Sequence, residues 1–380
     1  MKNYISYLPF ENIKNIPSKH ISSYEYIFFL HDQCAKLLIE YGSSNIDEVG
    51  LDELIEAYSI NFKNNDFDIV EVLQFFKEKS IDAPYFHFLY SKILLGLTGD
   101  LLNFIYESLK CFEKRKFSVA YSLLRKPLKE NLTFICWLFN NYENFIEKFE
   151  QETDKTLNKI HESTIKSIIL ETINKLPLPE LFDAELLYNM IFSKQHLFGL
   201  EIPCQRSTHL ITSHGSHLKT GKMFINSIFD NPNETGQYQP LYISLPYIML
   251  FTSHVIFEAF NKIIRLNNKT HQHFTLTSIA SYENLYSDAR KRPLTKWCGK
   301  AIKEFLKCIY CNKTINLTKE NSLRMFMTDK LICNHCHTHL DFPFYWLLAQ
   351  TKISITSTNS DDDSAWKDTI LARMFKSTEI

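Results

Sequence analysis

Two matched pairs of cysteines near the C-terminus, Cys308-Ile-Tyr-Cys311 and Cys333-Asn-His-Cys336, constrain this chain more than any other stretch. Two thiolates three positions apart on a tight turn point the same way and grip one side of a metal ion. A second such pair brought opposite completes a tetrahedron, which Zn²⁺ accepts without geometric strain. The inner cysteines are separated by 21 residues, a zinc-site spacing. Cys34, Cys111, Cys136, Cys204 and Cys298 are scattered singly. The alternative reading is two unconnected pairs of buried or redox thiols. The spacing therefore predicts one structural Zn²⁺ held by Cys308, Cys311, Cys333 and Cys336. With four thiolates bound, no position is left for a catalytic water.

At 380 residues the chain can bury one large core or two ordinary ones. Thirty Phe and nineteen Tyr against nine Gly fit long helices with bulky cores better than a turn-rich β protein. The expected fold class is mainly α: a multi-helix body with a small C-terminal Zn(Cys)₄ β-hairpin module. Residues 1–290 would form the body, with an irregular polar loop region at about 195–240. Residues 291–350 would carry a basic helix and the metal module, and 351–380 a linker and a terminal amphipathic helix. The start of the chain lacks an apolar signal segment, and the cysteines pair only in metal spacing, so the expected compartment is the reducing cytoplasm. The uncharged run 240–257 is interrupted by Ser244, Pro246, Thr252, Ser253 and His254, so it reads as a buried helix with no membrane partner.

Hydrophobic periodicity predicts helices over 22–41, 51–60, 68–78, 86–112, 141–175, 246–265 and 281–290. Residues 117–139 continue the pattern, but Pro127 must kink or restart that helix. Arg125 and Glu130 in this stretch read as an internal ion pair, with a catalytic role as the alternative. His209, His214 and His217 lie in the polar region and suggest either a metal or acid-base site or ordinary surface histidines. Ser322–Thr328 and Lys330–Ile332 are expected to pair as a hairpin turning near Asp329, and Asn312 and His337 fall where a positive φ follows a knuckle. Trp366, Ile370, Met374 and Phe375 mark the terminal helix, a candidate docking element for a protein partner.

The net charge of −1 conceals an asymmetry, because residues 262–340 carry 14 Lys and Arg against 5 Asp and Glu. Arg290, Lys291 and Arg292 make a basic corner. Beyond it, Trp297, Ala301 and Phe305 define an apolar stripe beside Lys296, Lys300, Lys303 and Lys307, in a helix expected to run into Cys308. A charge stripe can be simply a solvated face; joined to a zinc module it is a candidate RNA- or DNA-binding surface.

The four-cysteine segment resembles a zinc ribbon or zinc knuckle, a resemblance specific for metal and silent on function. The body, through Ser122-Leu-Leu-Arg125-Lys-Pro-Leu-Lys-Glu130, resembles helical prokaryotic abortive-infection and HEPN-type proteins. HEPN ribonucleases carry an Arg followed four to six residues later by a His, and Arg265 and His271 satisfy that count. The resemblance implies that the two act on a scissile RNA phosphate without a metal. The leading expectation is a zinc-binding, nucleic-acid-associated protein in prokaryotic antiviral defence or stress response. The alternatives are a ribonuclease using Arg265 and His271, and a scaffold without catalysis.

Overall fold

The computed structural model describes residues 4–43, 69–78, 82–151, 160–212, 219–226, 235–287, 292–350, 353–355 and 375–377. The chain is mainly helical. The body comprises α1 (Phe10–Ile13), α2 (Ile21–Ser43), α3 (Ile69–Glu78), α4 (Asp82–Glu113), α5 (Phe117–Lys126) and α6 (Leu132–Asn140). It continues through α7 (Tyr142–Gln151), α8 (Glu162–Lys175), α9 (Ala184–Phe192), α10 (Glu201–Thr208), α11 (Tyr238–Ile263) and α12 (Asn268–Tyr286). The C-terminal part contains α13 (Pro293–Ala301), α14 (Lys319–Thr328), β1 (Lys330–Ile332), β2 (His339–Asp341) and α15 (Phe344–Ala349). Two further strands, β3 (Ile353–Ile355) and β4 (Phe375–Ser377), pair antiparallel.

Helix α11 is the axis of the body, because it is apolar on every side and must be surrounded to leave water. It packs against α2, α6 and α12. Both α11 and the Tyr85–Glu113 stretch of α4 are long and apolar enough to cross a membrane, but the most apolar window of α11 is 89% buried inside the protein. Several tyrosines bury a ring here and hand the hydroxyl to a carbonyl of a neighbouring helix. Tyr26 donates to the Ser278 carbonyl at 2.9 Å, Tyr41 to Phe260 at 3.0 Å, and Tyr238 to Phe112 at 3.0 Å. These bonds lock α2, α4, α11 and α12 in register with one another.

Pro127 neither breaks the α5–α6 path nor kinks it at a single residue. The turn Pro127–Asn131 is a π-helical insertion, which drops the bond that proline cannot make and resumes α-helix at Leu132. The expected Arg125–Glu130 pair is absent because Glu130 faces solvent. Its neighbour Lys129 points inward and pairs at 2.9 Å with Glu201 of α10, a carboxylate that is 1% exposed. The extra residue of the π turn shifts which side chains face the body, and periodicity of 3.6 cannot foresee that shift.

The N-terminal lead-in is also tied down. Glu25 of α2 is fully buried and accepts the backbone N–H groups of Ile5 and Tyr7 at 2.8 Å and of Leu8 at 3.3 Å. Arg324 of α14 donates to the Tyr4 carbonyl at 2.9 Å, so the lead-in bridges the body and the C-terminal part.

A second hydrophobic cluster, separate from the body's core, gathers around the cysteine pairs. Leu276, Ile279 and Ala280 of α12 belong to it, so that helix lies between the body and the metal module. Residues 281–286 of the expected short helix are the end of α12, which begins at Asn268 because Asn267 caps it through Lys269 N–H at 2.9 Å, and 288–290 lie outside the described residues. At the far C-terminus Phe375 lies in β4, so it does not continue a terminal helix. Trp366, Ile370 and Met374 lie outside the described residues, as does the 51–60 segment.

Candidate metal centre

Each cysteine pair is held by the same backbone device. In the first knuckle, Cys308 N–H donates to the Lys313 carbonyl at 2.9 Å, and Asn312 N–H donates to the Cys308 carbonyl at 2.8 Å. In the second, Cys333 N–H donates to Thr338 at 3.0 Å and His337 N–H to Cys333 at 3.1 Å. Asn312 and His337 sit at φ 61° and 58°, the left-handed conformation that closes both turns. The flanking strands match as well. Lys307 bridges Thr314 antiparallel, and Ile332 pairs with His339. The pairs Leu306 and Ile315, then Leu331 and Leu340, are buried beneath the two turns. Residues 306–315 and 331–340 are thus one structural unit used twice at an offset of 25, a repeat masked in sequence because only the cysteines and the apolar pairs coincide.

The expected hairpin between the knuckles is instead helix α14, and the β1–β2 hairpin frames the second knuckle. Local chemistry explains this. Thr318 caps the helix by accepting the Asn321 N–H at 3.2 Å, and Asp329 ends it at φ 52°. Asn321 then substitutes for a strand: its amide donates to the Ile332 carbonyl at 2.8 Å and its oxygen accepts the Ile332 N–H at 3.0 Å. The apolar residues of Ser322–Thr328 were readable as either period, and the caps decide for helix.

The two knuckles bring all four sulfurs within 4.8 Å of one another. Cys308 and Cys336 lie 3.5 Å apart, and Cys311 and Cys333 lie 3.6 Å apart. A tetrahedron with metal–sulfur bonds of about 2.3 Å has edges of about 3.8 Å, whereas a disulfide bond is about 2.05 Å. The cluster can hold a metal ion. Cys308 and Cys333 are buried and Cys336 is exposed. Hydrogen bonds prepare part of the set for metal, because the Thr338 hydroxyl and N–H draw the Cys336 thiol down to about 6. The N–H groups of Cys336 and His335 lower that of Cys333. His335, His337 and His339 are exposed and stand outside the ligand set.

The basic segment departs from expectation in its geometry. Helix α13 ends at Ala301, and Lys307 makes an isolated bridge at the base of the first knuckle, so the lysine stripe spans a helix, a turn and that bridge. Leu294, Cys298 and Ile302 are the buried face, while Phe305 of the expected apolar stripe is 55% exposed. Packing against α12 chooses that face, one residue away from the Trp297-Ala301-Phe305 stripe. Lys296, Lys300, Lys303 and Lys307 are exposed. Arg292 is half-buried and donates to Asn284 Oδ1 at 2.9 Å, fastening the helix start to α12. Arg290 and Lys291 lie outside the described residues. Glu283 also faces the start of α13, where it accepts the Leu294 N–H at 3.2 Å and that of Thr295; burial pushes its carboxyl up to about 8.

The other candidates lie on the body. Arg265 is exposed in the α11–α12 connection, whereas His271 is on the first turn of α12 and is hydrogen-bonded to Glu258. His209 is an exposed helix cap, and His214 and His217 lie outside the described residues. Asn226 donates to the His209 carbonyl and to the Thr212 hydroxyl, both at 2.7 Å. Sequence reading passed over an aromatic cleft of about 260 Å³ lined by Phe86, His87, Tyr90, Tyr142 and Lys262. Its residues come from three separate helices, so no local pattern marks it.

Comparison with protein-family models, with curated proteins and with solved structures found no match. No family model supports the resemblance of the body to HEPN-type or abortive-infection proteins.

Proposed function

We propose that the four thiols bind one structural Zn²⁺ and that the lysine-bearing segment entering the first knuckle binds nucleic acid. The sulfur set supports the metal: four thiolates in a tetrahedral arrangement select zinc over oxygen-preferring cations and leave no open position for catalysis. The observation that carries the second half is the exposed row Lys300, Lys303, Lys307 and Lys313 on and beside the metal-braced turn. Between 292 and 313 there are six Lys and Arg and one acidic residue, Glu304. Phosphates released from their counterions fit such a surface, which gives affinity without base choice.

The test combines metal analysis with binding. Elemental analysis of the purified chain should give one zinc per protein, lost in Cys308→Ser. Anisotropy with a labelled oligonucleotide across a salt series should show affinity falling with salt. The triple variant Lys300→Gln/Lys303→Gln/Lys307→Gln should reduce the slope of log K against log salt by about 2 to 3, from roughly 0.7–0.9 per phosphate contact. Full zinc content in Cys308→Ser would remove the metal reading. No binding at low salt, or an unchanged slope in the triple variant, would remove the nucleic-acid reading.

A further inference from the structure

The two knuckles are the same turn built twice, and the comparison isolates what one of them carries in addition. The residues between the cysteines of the second knuckle are Asn334 and His335; those of the first are Ile309 and Tyr310. Asn334 has a structural task, since its side chain accepts the Asn316 N–H at 2.8 Å. Ile309 and Tyr310 have none of that kind: they are 80% and 70% exposed at the tip of a turn whose metal-holding geometry the second knuckle achieves with polar residues. Phe305, 55% exposed, stands two residues before Lys307, whose bridge to Thr314 closes the base of this turn. Three large apolar side chains left in water on one short stretch of chain lose the burial they would gain elsewhere and mark a contact surface.

We propose that this tip is a stacking platform for unpaired bases, so that the preferred ligand of the basic segment is single-stranded nucleic acid. The proposal rests on the nucleic-acid reading above and narrows its substrate. Charge favours this occupant over an apolar protein groove or a neutral surface. Lys307 and Lys313 stand at the two ends of the turn, exposed Lys303 precedes it, and Glu304 is the one carboxylate between 292 and 313. A groove that follows phosphates with cations and offers aromatic faces to bases is the general solution for single strands. In a duplex the base faces are already stacked on one another, so the rings would have nothing to cover. The metal contributes rigidity: with both ends of the four-residue turn fixed, Tyr310 is presented with little backbone freedom left to lose.

The test uses the full-length chain with three fluorescein-labelled probes: a 15-nucleotide oligodeoxythymidylate, a 15-nucleotide oligouridylate and a mixed-sequence 15-base-pair DNA duplex. The wild type should favour one or both single strands over the duplex. Tyr310→Ala should weaken single-strand binding about 5- to 100-fold, the range for loss of one base–aromatic stack, with the salt slope unchanged. Duplex binding should not change, and Tyr310→Phe should restore single-strand affinity. Ile309→Asn/Tyr310→Ser, which places polar residues where the second knuckle has them, is the folding control and should retain one metal per chain. Single-strand affinity in Tyr310→Ala equal to wild type, while the triple lysine variant loses binding, would overturn the stacking inference and leave the phosphate reading intact. Equal affinity of the wild type for duplex and single strands would overturn it likewise. No binding of any probe by the wild type would overturn both.

Discussion

Glu283 offers a measurement of how the body sets the angle of the basic segment. Its carboxyl is 2% exposed, receives the Leu294 N–H at the start of α13, and has its second oxygen buried without a hydrogen-bond partner. Burial raises its pKa from 4.5 to about 8, against the N–H bonds and the positive charges of Arg292 and Lys296. The folded protein therefore holds a proton at Glu283 that the unfolded chain releases across the window from pH 4.5 to 8. In that window the native state binds more protons, so stability falls as pH rises, by about 1.4 kcal/mol per unit. The full shift corresponds to roughly 5 kcal/mol, of which about 2 is lost between pH 6 and pH 8. Glu283→Gln keeps the acceptor and cannot ionise. The stability of Glu283→Gln minus that of wild type should therefore grow by about 2 kcal/mol from pH 6 to pH 8 and level off above pH 9. Other titrating groups, including the cysteines, largely cancel in the difference. Urea unfolding followed by fluorescence, with Trp297 on α13 as a local reporter, measures it. A gap independent of pH would show that Glu283 is ionised in the folded state. The helix start and Arg292 would then outweigh burial.

Two further predictions concern the turns. His337→Gly should be neutral or stabilising by up to about 1 kcal/mol, whereas His337→Val at φ 58° should destabilise by more, both read as shifts in the urea midpoint at constant metal content. Equal effects of the two would contradict the left-handed turn. Asn321→Ala removes both hydrogen bonds to Ile332 and leaves a half-buried N–H and carbonyl without them, at a cost of roughly 1–3 kcal/mol. Faster amide exchange at Ile332 in that variant should accompany the loss. Unchanged exchange would mean that the strand is held by β2 alone.

What the sequence determined by itself was the four-cysteine cluster that can hold a metal ion, the helical class and the positions of most long helices. Cysteine spacing and 3.6-residue periodicity are local signals, and a local signal survives whatever surrounds it. The positive φ at Asn312 and His337 was legible for the same reason, since it follows from closing a turn around two thiolates. Tertiary structure decided everything that depends on which neighbour a side chain meets. Lys129, rather than Arg125 with Glu130, forms the ion pair of this stretch because Glu201 lies opposite a π turn. Asn321 of α14 came to hold Ile332 from outside the β1–β2 hairpin because the fold lays that helix beside the strand. The buried face of α13 was set by α12, which turned Phe305 outward and left Arg292 bound to Asn284. The equivalence of the two knuckles was hidden in the sequence, because a backbone turn constrains hydrogen bonds and dihedral angles while leaving the residues at its tip free to differ.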